Sequence, residues 1–348
     1  MNPIKVLIVD DSPSICSILR RTIGKEEDME VVGSAGDPYQ ARDLILKFKP
    51  DVMTVDIEMP KMDGLEFIRK LLPQYPIPVI VVSSLARKNS TLAFDALESG
   101  AVAFVQKPQL TGDHDRIKDF FKALIHEIRL ASKTDVSRLK KLNFDIRNVP
   151  KSGFSLISSK TTDKIILMGA STGGTIALTY LLKQFPSNMP GTVIVQHMPP
   201  GFTARFAERL NEECSITVKE AKSGDLIRQG EVLIAPGGVH LKIVKKGKDY
   251  AVETFDGPRL HGVIPSVDYL YLSAAEVIKD KAIAVILTGM GDDGAKAMAQ
   301  LRLAGAYTIA QDRESSLIYG MPAAAVDAGG VAVSLPLDKI TEEIIRRL

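Results

Sequence analysis

Two sets of reactive side chains occupy separate stretches of this chain. In the first third, Asp10-Asp11, Asp56, Ser83-Ser84 and Lys107 each follow a short apolar run, so three carboxylates, hydroxyls and an ammonium stand where such runs end. Hard oxygen ligands of this kind suit Mg²⁺, and Asp10, Asp11 and Asp56, together with a backbone carbonyl near Glu58, would form its site. Asp56 would then act as nucleophile toward a phosphoryl group, with Lys107 pairing with the phosphoryl oxygens and Ser83 hydrogen-bonding the new phosphate. Alone, Asp10-Asp11 would read as an N-cap pair for a helix beginning near Pro13. The coincidence of four run ends, and the run Asp56-Ile57-Glu58-Met59-Pro60-Lys61-Met62-Asp63-Gly64, outweigh that reading.

In the second half, Gly169-Ala170-Ser171-Thr172-Gly173 fits G-x-S-x-G at a strand-to-helix turn, which exposes a serine oxygen near helix-terminal amides. A nucleotide-phosphate loop is the competing reading, but G-x-G-x-x-G is absent and no acidic residue lies about 20 positions on. A serine nucleophile needs a base and a carboxylate to orient that base. Of five histidines, His114 and His126 fall on a middle helix. His197 ends the next apolar run, Val193-Ile194-Val195-Gln196, while His240 and His261 read as loop residues making backbone or substrate contacts. The carboxylate is offered by Gly289-Met290-Gly291-Asp292-Asp293-Gly294, where spacing alone does not separate Asp292 from Asp293. The chain order Ser, His, Asp differs from the Ser, Asp, His order of the α/β-hydrolases.

Positioning these groups takes two α/β sheets. Apolar, β-branched runs at 4–9, 31–35, 52–55, 79–82 and 102–105 alternate with stretches of helical period, which predicts five buried parallel strands. Ile117, Phe120, Phe121, Leu124, Ile125 and Ile128 predict an amphipathic helix, after which polar residues, Pro150 and Gly153 mark a linker near 131–160. A second alternation predicts strands at 165–168, 192–196, 231–235 and 283–288, and helices at 175–184, 204–212, 267–278 and 295–303. Residues 241–244 and 250–254 predict a hairpin that gives this second sheet an antiparallel edge. No internal repeat relates the halves. The length, 348 residues, suits two domains. Basic against acidic residues number 13 to 15 in 1–111, 11 to 6 in 112–160 and 20 to 21 in 161–348, so the excess is in the middle. That stretch, including Arg129, Lys133, Arg138, Lys140, Lys141 and Arg147, reads as a solvated linker and not a nucleic-acid site, because aromatics and a recognition helix are missing. Cys16 and Cys214 form no metal-ligand spacing or disulfide framework, and no apolar run approaches the roughly 20 residues of a membrane span. A cytoplasmic location is the expectation.

The Asp56–Gly64 run, with Asp10-Asp11 and Lys107-Pro108, resembles the receiver domain of bacterial two-component response regulators. The segments 169–174, 196–199 and 288–294 resemble the catalytic domain of the chemotaxis protein-glutamate methylesterases, so the resemblance spans receiver, linker and catalytic domain in order. It implies an α/β chain with a flavodoxin-like receiver of five parallel strands over 1–125 and a linker over 126–160. Residues 161–348 then form a mostly parallel, Rossmann-like hydrolase-type domain with an antiparallel hairpin. It implies phosphorylation of Asp56 by a chemotaxis histidine kinase with Mg²⁺, and a triad of Ser171, His197 and Asp293 needing no cofactor of its own. Met290, and more weakly Thr172, supply oxyanion-hole amides. The implied reactions are hydrolysis of glutamyl methyl esters and deamidation of glutamines on chemoreceptor cytoplasmic domains. The enzyme is expected to be a monomer without nucleic-acid partner or membrane insertion, its serine site covered by the receiver until Asp56 is phosphorylated. Two rivals are a receptor-binding module with an inactive hydrolase fold and a DNA-binding regulator using the basic stretch. Pro265-Ser266-Val267-Asp268 also resembles the family, without an assigned role.

Overall fold

The computed structural model describes residues 2–83, 95–96, 99–108, 114–134 and 163–348. The chain divides into two compact units, 1–140 and 141–348. Ser84 and residues 135–160 of the expected linker lie outside the described residues.

The N-terminal unit runs β1 (Ile4–Val9), α1 (Pro13–Ile23), β2 (Met29–Ala35), α2 (Pro38–Phe48), β3 (Val52–Val55), α3 (Gly64–Leu71), β4 (Val79–Ser83), β5 (Ala103–Gln106) and α4 (His114–Ala131). The five strands pair in parallel in the order β2-β1-β3-β4-β5. The strands are apolar almost throughout because a parallel sheet of this kind is covered on both faces. Leu7, Val9, Met53, Val55, Val79 and Val81 all enter one core with residues of α2 and α3. Ser12 caps α1, its hydroxyl accepting from the Ile15 amide, and Pro13 fills the first helical position. Asp10 instead accepts the Ser12 amide at 3.0 Å, so the N-cap reading of the aspartate pair gives way to a loop that holds Asp10 in place. Arg129, counted in the basic middle stretch, is committed within this unit: it pairs with Glu26 and Asp28.

The C-terminal unit runs β6 (Ile165–Ala170), α5 (Gly174–Gln184), β7 (Thr192–Gln196), α6 (Phe202–Glu213), β8 (Thr217–Glu220), β9 (Glu231–Ile234), β10 (His240–Lys246) and β11 (Asp249–Phe255). It continues through α7 (Val267–Val277), β12 (Ala282–Ile286), α8 (Ala295–Leu303), β13 (Tyr307–Gln311), α9 (Met321–Asp327), β14 (Val333–Leu335) and α10 (Leu337–Arg346). Seven parallel strands form one sheet in the order β14-β13-β12-β6-β7-β9-β8. The hairpin β10-β11 is a separate antiparallel pair and not the expected edge of that sheet. Its apolar residues Leu241, Ile243 and Val252 join the core beside Leu270 and Tyr271 of α7. The Ile243 amide is taken by the Ser273 hydroxyl at 2.9 Å, so packing against a helix replaces pairing with the sheet.

Candidate active site and phospho-acceptor site

Strand order in the C-terminal sheet reverses direction at β6, and the crevice beyond the carboxyl ends of strands at such a point is where α/β proteins hold their chemistry. Ser171 follows β6 directly, His197 follows β7, and Asp293 lies in the turn after β12. The register pairs Ala170 with Gln196 and Gly169 with Ile286, so the three turns are neighbours. The His197 amide donates to the Ala170 carbonyl and the Ser171 amide to the Thr288 carbonyl, each at 3.1 Å, which fixes the backbones of all three turns together.

His197 Nε2 lies 2.7 Å from Asp293 Oδ2. A carboxylate only accepts, so Nε2 carries the proton and the neutral ring presents a bare lone pair at Nδ1. Nδ1 is buried and has no hydrogen-bond partner among the described residues; in particular Ser171 makes no bond to it. An orphaned basic nitrogen beside a serine-bearing turn is what proton abstraction from that serine requires.

Asp293 is almost wholly buried, and four donors meet it. Besides His197, Oδ1 accepts from Ser266 Oγ at 2.6 Å and the Asp268 amide at 3.2 Å, and Oδ2 accepts from the Val267 amide at 2.6 Å. Ser266 is the N-cap of α7, so the carboxylate sits on a helix N-terminus whose amides favour negative charge. Burial alone would push the Asp293 carboxyl up; the His197 pairing and the Ser266 and Val267 bonds overcome it and hold the group below the usual carboxylate range. Asp292, by contrast, is exposed and pairs with His261, so geometry distinguishes the two aspartates that spacing left open.

Gly289 touches the serine: a Cβ there would lie 2.8 Å from Ser171 Cβ and 3.0 Å from its amide nitrogen. Only glycine permits this approach of the residue before Met290 to Ser171. Thr172 follows the serine, its carbonyl accepting from Thr288 Oγ1 at 3.0 Å. Gln196, in a family-like segment but given no role from sequence, is buried and its amide donates to the Ser171 carbonyl at 3.0 Å and the His197 carbonyl at 3.2 Å. His240 is a buried strand residue: its Nδ1 accepts from the Ser266 amide and its Nε2 meets the Pro258 carbonyl, the backbone role anticipated for it.

In the N-terminal sheet the order reverses between β1 and β3, and Asp10, Asp11 and Asp56 converge there, their nearest oxygens lying within 4.8 Å of one another. Glu58 is exposed, and its carboxylate is not in that group. Lys107 Nζ lies 2.6 Å from Asp10 Oδ2 and 2.5 Å from Asp56 Oδ2, and Asp56 Oδ1 accepts the Ile57 amide at 2.7 Å. Burial alone would pull the Lys107 ammonium down, but its bonds to both aspartates hold it above ordinary lysine; burial pushes the Asp10 carboxyl up despite Lys107. Ser83 Oγ is fully buried with no partner among the described residues. Gly64 makes the tight return after Asp56, since a Cβ there would lie 2.1 Å from the Asp56 carbonyl. Three converging carboxylates, two of them on one ammonium, fit a hard cation and an incoming anion.

Two α/β units, one with an acidic strand-end cluster and one with a serine, histidine and aspartate at adjacent strand ends, define a receiver joined to a serine-hydrolase-like domain. Residues 6–118 match the response regulator receiver domain and residues 166–344 the CheB methylesterase family. A protein-glutamate methylesterase/protein-glutamine glutaminase of Syntrophotalea carbinolica is 47% identical over 343 residues, 98% of this chain and 97% of that protein. The same-named protein of Escherichia coli O6:K15:H31 is 43% identical over 348 residues, 100% of this chain and 98% of its own length. The crystal structure of the Thermotoga maritima CheB methylesterase catalytic domain matches with a TM-score of 0.52 at 39% identity, covering 54% of this chain and 100% of that one. The chain belongs to the CheB methylesterase family, with a response-regulator receiver domain in its N-terminal part.

Proposed function

We propose that this chain is a phosphorylation-regulated esterase that hydrolyses glutamyl methyl esters, and deamidates glutamines, on chemoreceptor cytoplasmic domains. The observation that carries the reading is the His197–Asp293 pair with its unpartnered Nδ1 beside the Ser171 turn. Nδ1 takes the Ser171 proton as Oγ attacks the side-chain carbonyl, and Asp293 stabilises the imidazolium that forms. The oxyanion develops against the Met290 amide, with Thr172 as a second donor. The proton passes from Nδ1 to the leaving methoxy oxygen or amide nitrogen, which departs as methanol or ammonia and leaves an acyl-serine. Water, deprotonated by the same nitrogen, then releases glutamate and restores the Ser171 hydroxyl. Gln196 and the α7 N-terminus act by positioning.

In the receiver, residues 1–125 by this reading, Asp56 accepts a phosphoryl group from a partner histidine kinase. Asp10, Asp11, Asp56 and the backbone near Glu58 would hold Mg²⁺, which when bound supplies neutralisation of phosphoryl charge. Lys107 leaves its two aspartates for the phosphate, and Ser83 gains the partner it lacks. The expected linker of 126–160 begins inside α4, which ends at Ala131 in the N-terminal unit, so the connection to the catalytic domain, 161–348, starts after that helix and not at 126.

The test is methanol release from methylated receptor. Wild-type protein releases methanol and Ser171→Ala does not; equal release by both would sink the serine mechanism, and none from either would favour a binding module with an inactive hydrolase fold.

A further inference from the structure

His261 stands outside the Ser171, His197 and Asp293 set, in a turn closed by the Val263 amide donating to the Leu260 carbonyl at 2.8 Å. Its φ is +50°, a left-handed conformation that a residue with a Cβ adopts at a cost and keeps where its surroundings enforce it. Two ion pairs do so here. His261 Nε2 lies 2.8 Å from Asp268 Oδ2, and Nδ1 lies 2.8 Å from Asp292 Oδ1. Nε2 donates to Asp268, and a second carboxylate stands 2.8 Å from Nδ1; two carboxylates against one ring favour its imidazolium form.

Both partners lead to Asp293. Asp268, in the first turn of α7, donates its amide to Asp293 Oδ1 and accepts the Gly294 amide at 3.0 Å through its own Oδ1. Asp292 is the residue before Asp293. The charged groups facing the ring are Asp268 from α7, and Asp292 and Asp293 from the turn before α8. Arg259, on the ring's own turn, is directed to the Gly262 carbonyl. Burial opposes the ring's charge, but the carboxylates outweigh it and hold His261 above ordinary histidine. A neutral ring keeps the N–H that Asp268 accepts but loses the charge that draws Asp292, so losing the proton releases the Asp292 side of the pair.

We infer that His261 is a positioning residue of the esterase: as an imidazolium it pins the Met290–Asp293 turn to the start of α7, and activity falls when that clamp opens. This rests on the esterase reading above. Catalysis then needs His261 charged, so kcat/KM against pH carries an alkaline limb that belongs to His261.

The experiment has two arms on the full-length protein. In the first, kcat/KM for methanol release is followed against pH in wild type, His261→Arg and His261→Gln. Wild type should fall roughly two- to fivefold on the alkaline side, the scale of part-exposed ion pairs. His261→Arg, charged throughout, should keep its plateau, and His261→Gln should start lower and show no alkaline limb. An alkaline limb unmoved in both variants overturns the proposal. In the second arm the His261 ring is titrated by NMR in Ser171→Ala, with and without Asp292→Asn. Its midpoint should lie above the ordinary histidine value of about 6.5 and drop when Asp292 is neutralised. A midpoint indifferent to Asp292→Asn refutes the clamp. If no sample releases methanol the esterase reading fails, and with it the catalytic role; the titration then judges the clamp separately.

Discussion

His197 has one nitrogen committed and the other without a partner among the described residues, and the reaction proposed for Ser171 depends on that asymmetry. Asp293→Asn keeps the shape but permits the wrong tautomer, so kcat for methanol release should fall by about three to four orders of magnitude. The same variant carries a pH dependence of stability. Asp293 is held below its ordinary value, so the stability that it adds is complete above its unfolded value of about 3.9 and is lost as pH falls through the lower, folded value. Urea unfolding should therefore show wild type and Asp293→Asn farthest apart near neutrality and converging below about pH 4. Ser171, His197, Asp56 and Lys107 were legible as residues because each follows a strand, and strand ends converge in parallel sheets. Spacing left Asp292 and Asp293 equivalent, because the difference lies in contacts from α7, far along the chain. Ser266, within a segment that sequence left without a role, acts through its hydroxyl on Asp293, a contact with no local periodicity to announce it. The two bonds from Gln196 are equally invisible in sequence, since they depend on β6 and β7 lying side by side.

At the scale of elements, α7 does most to shape the candidate site, since its N-terminus receives Asp293 and its body supports the hairpin. Ser266→Ala removes both a helix cap and a donor to a buried carboxylate. It should cost about 1–2 kcal/mol in chemical denaturation and lower kcat more than it raises KM. Gln196→Ala, which removes the Gln196 donor from the His197 carbonyl and leaves the Ser171 carbonyl with the Gly174 amide, should cost about 1–3 kcal/mol by the same measurement. The strands that carry the site were readable because they are continuous β-branched runs. β8 and β14 were not, because they are the two edge strands of the sheet, only partly buried and without a continuous apolar run; β13 was not read either, although Thr308 to Gln311 are buried. The helix α10 was legible in principle, with Leu337, Ile340 and Ile344 buried at helical spacing. The hairpin was readable as a hairpin, but its placement was not, because local sequence does not reveal whether a sheet edge or a helix will cover its apolar face.

At the scale of the whole molecule, the proposed function requires one chain to couple a phospho-acceptor to a serine esterase. Among the described residues no helix is long and apolar enough to cross a membrane. Lys107→Ala removes the ammonium that Asp10 and Asp56 share, the only one they share among the described residues, which should destabilise the receiver through two largely buried carboxylates that lose it. It should also weaken the response to phosphodonor without altering Ser171 chemistry, which methanol release with and without phosphodonor would separate. The most direct test of the coupling is the rate of methanol release from methylated receptor by full-length wild type and Asp56→Asn, each with and without a small phosphodonor and Mg²⁺. Wild type should accelerate about tenfold or more, a change requiring only about 1.4 kcal/mol between the two states, and Asp56→Asn should not respond. Equal stimulation of both proteins, or none in wild type that does release methanol, would contradict the account.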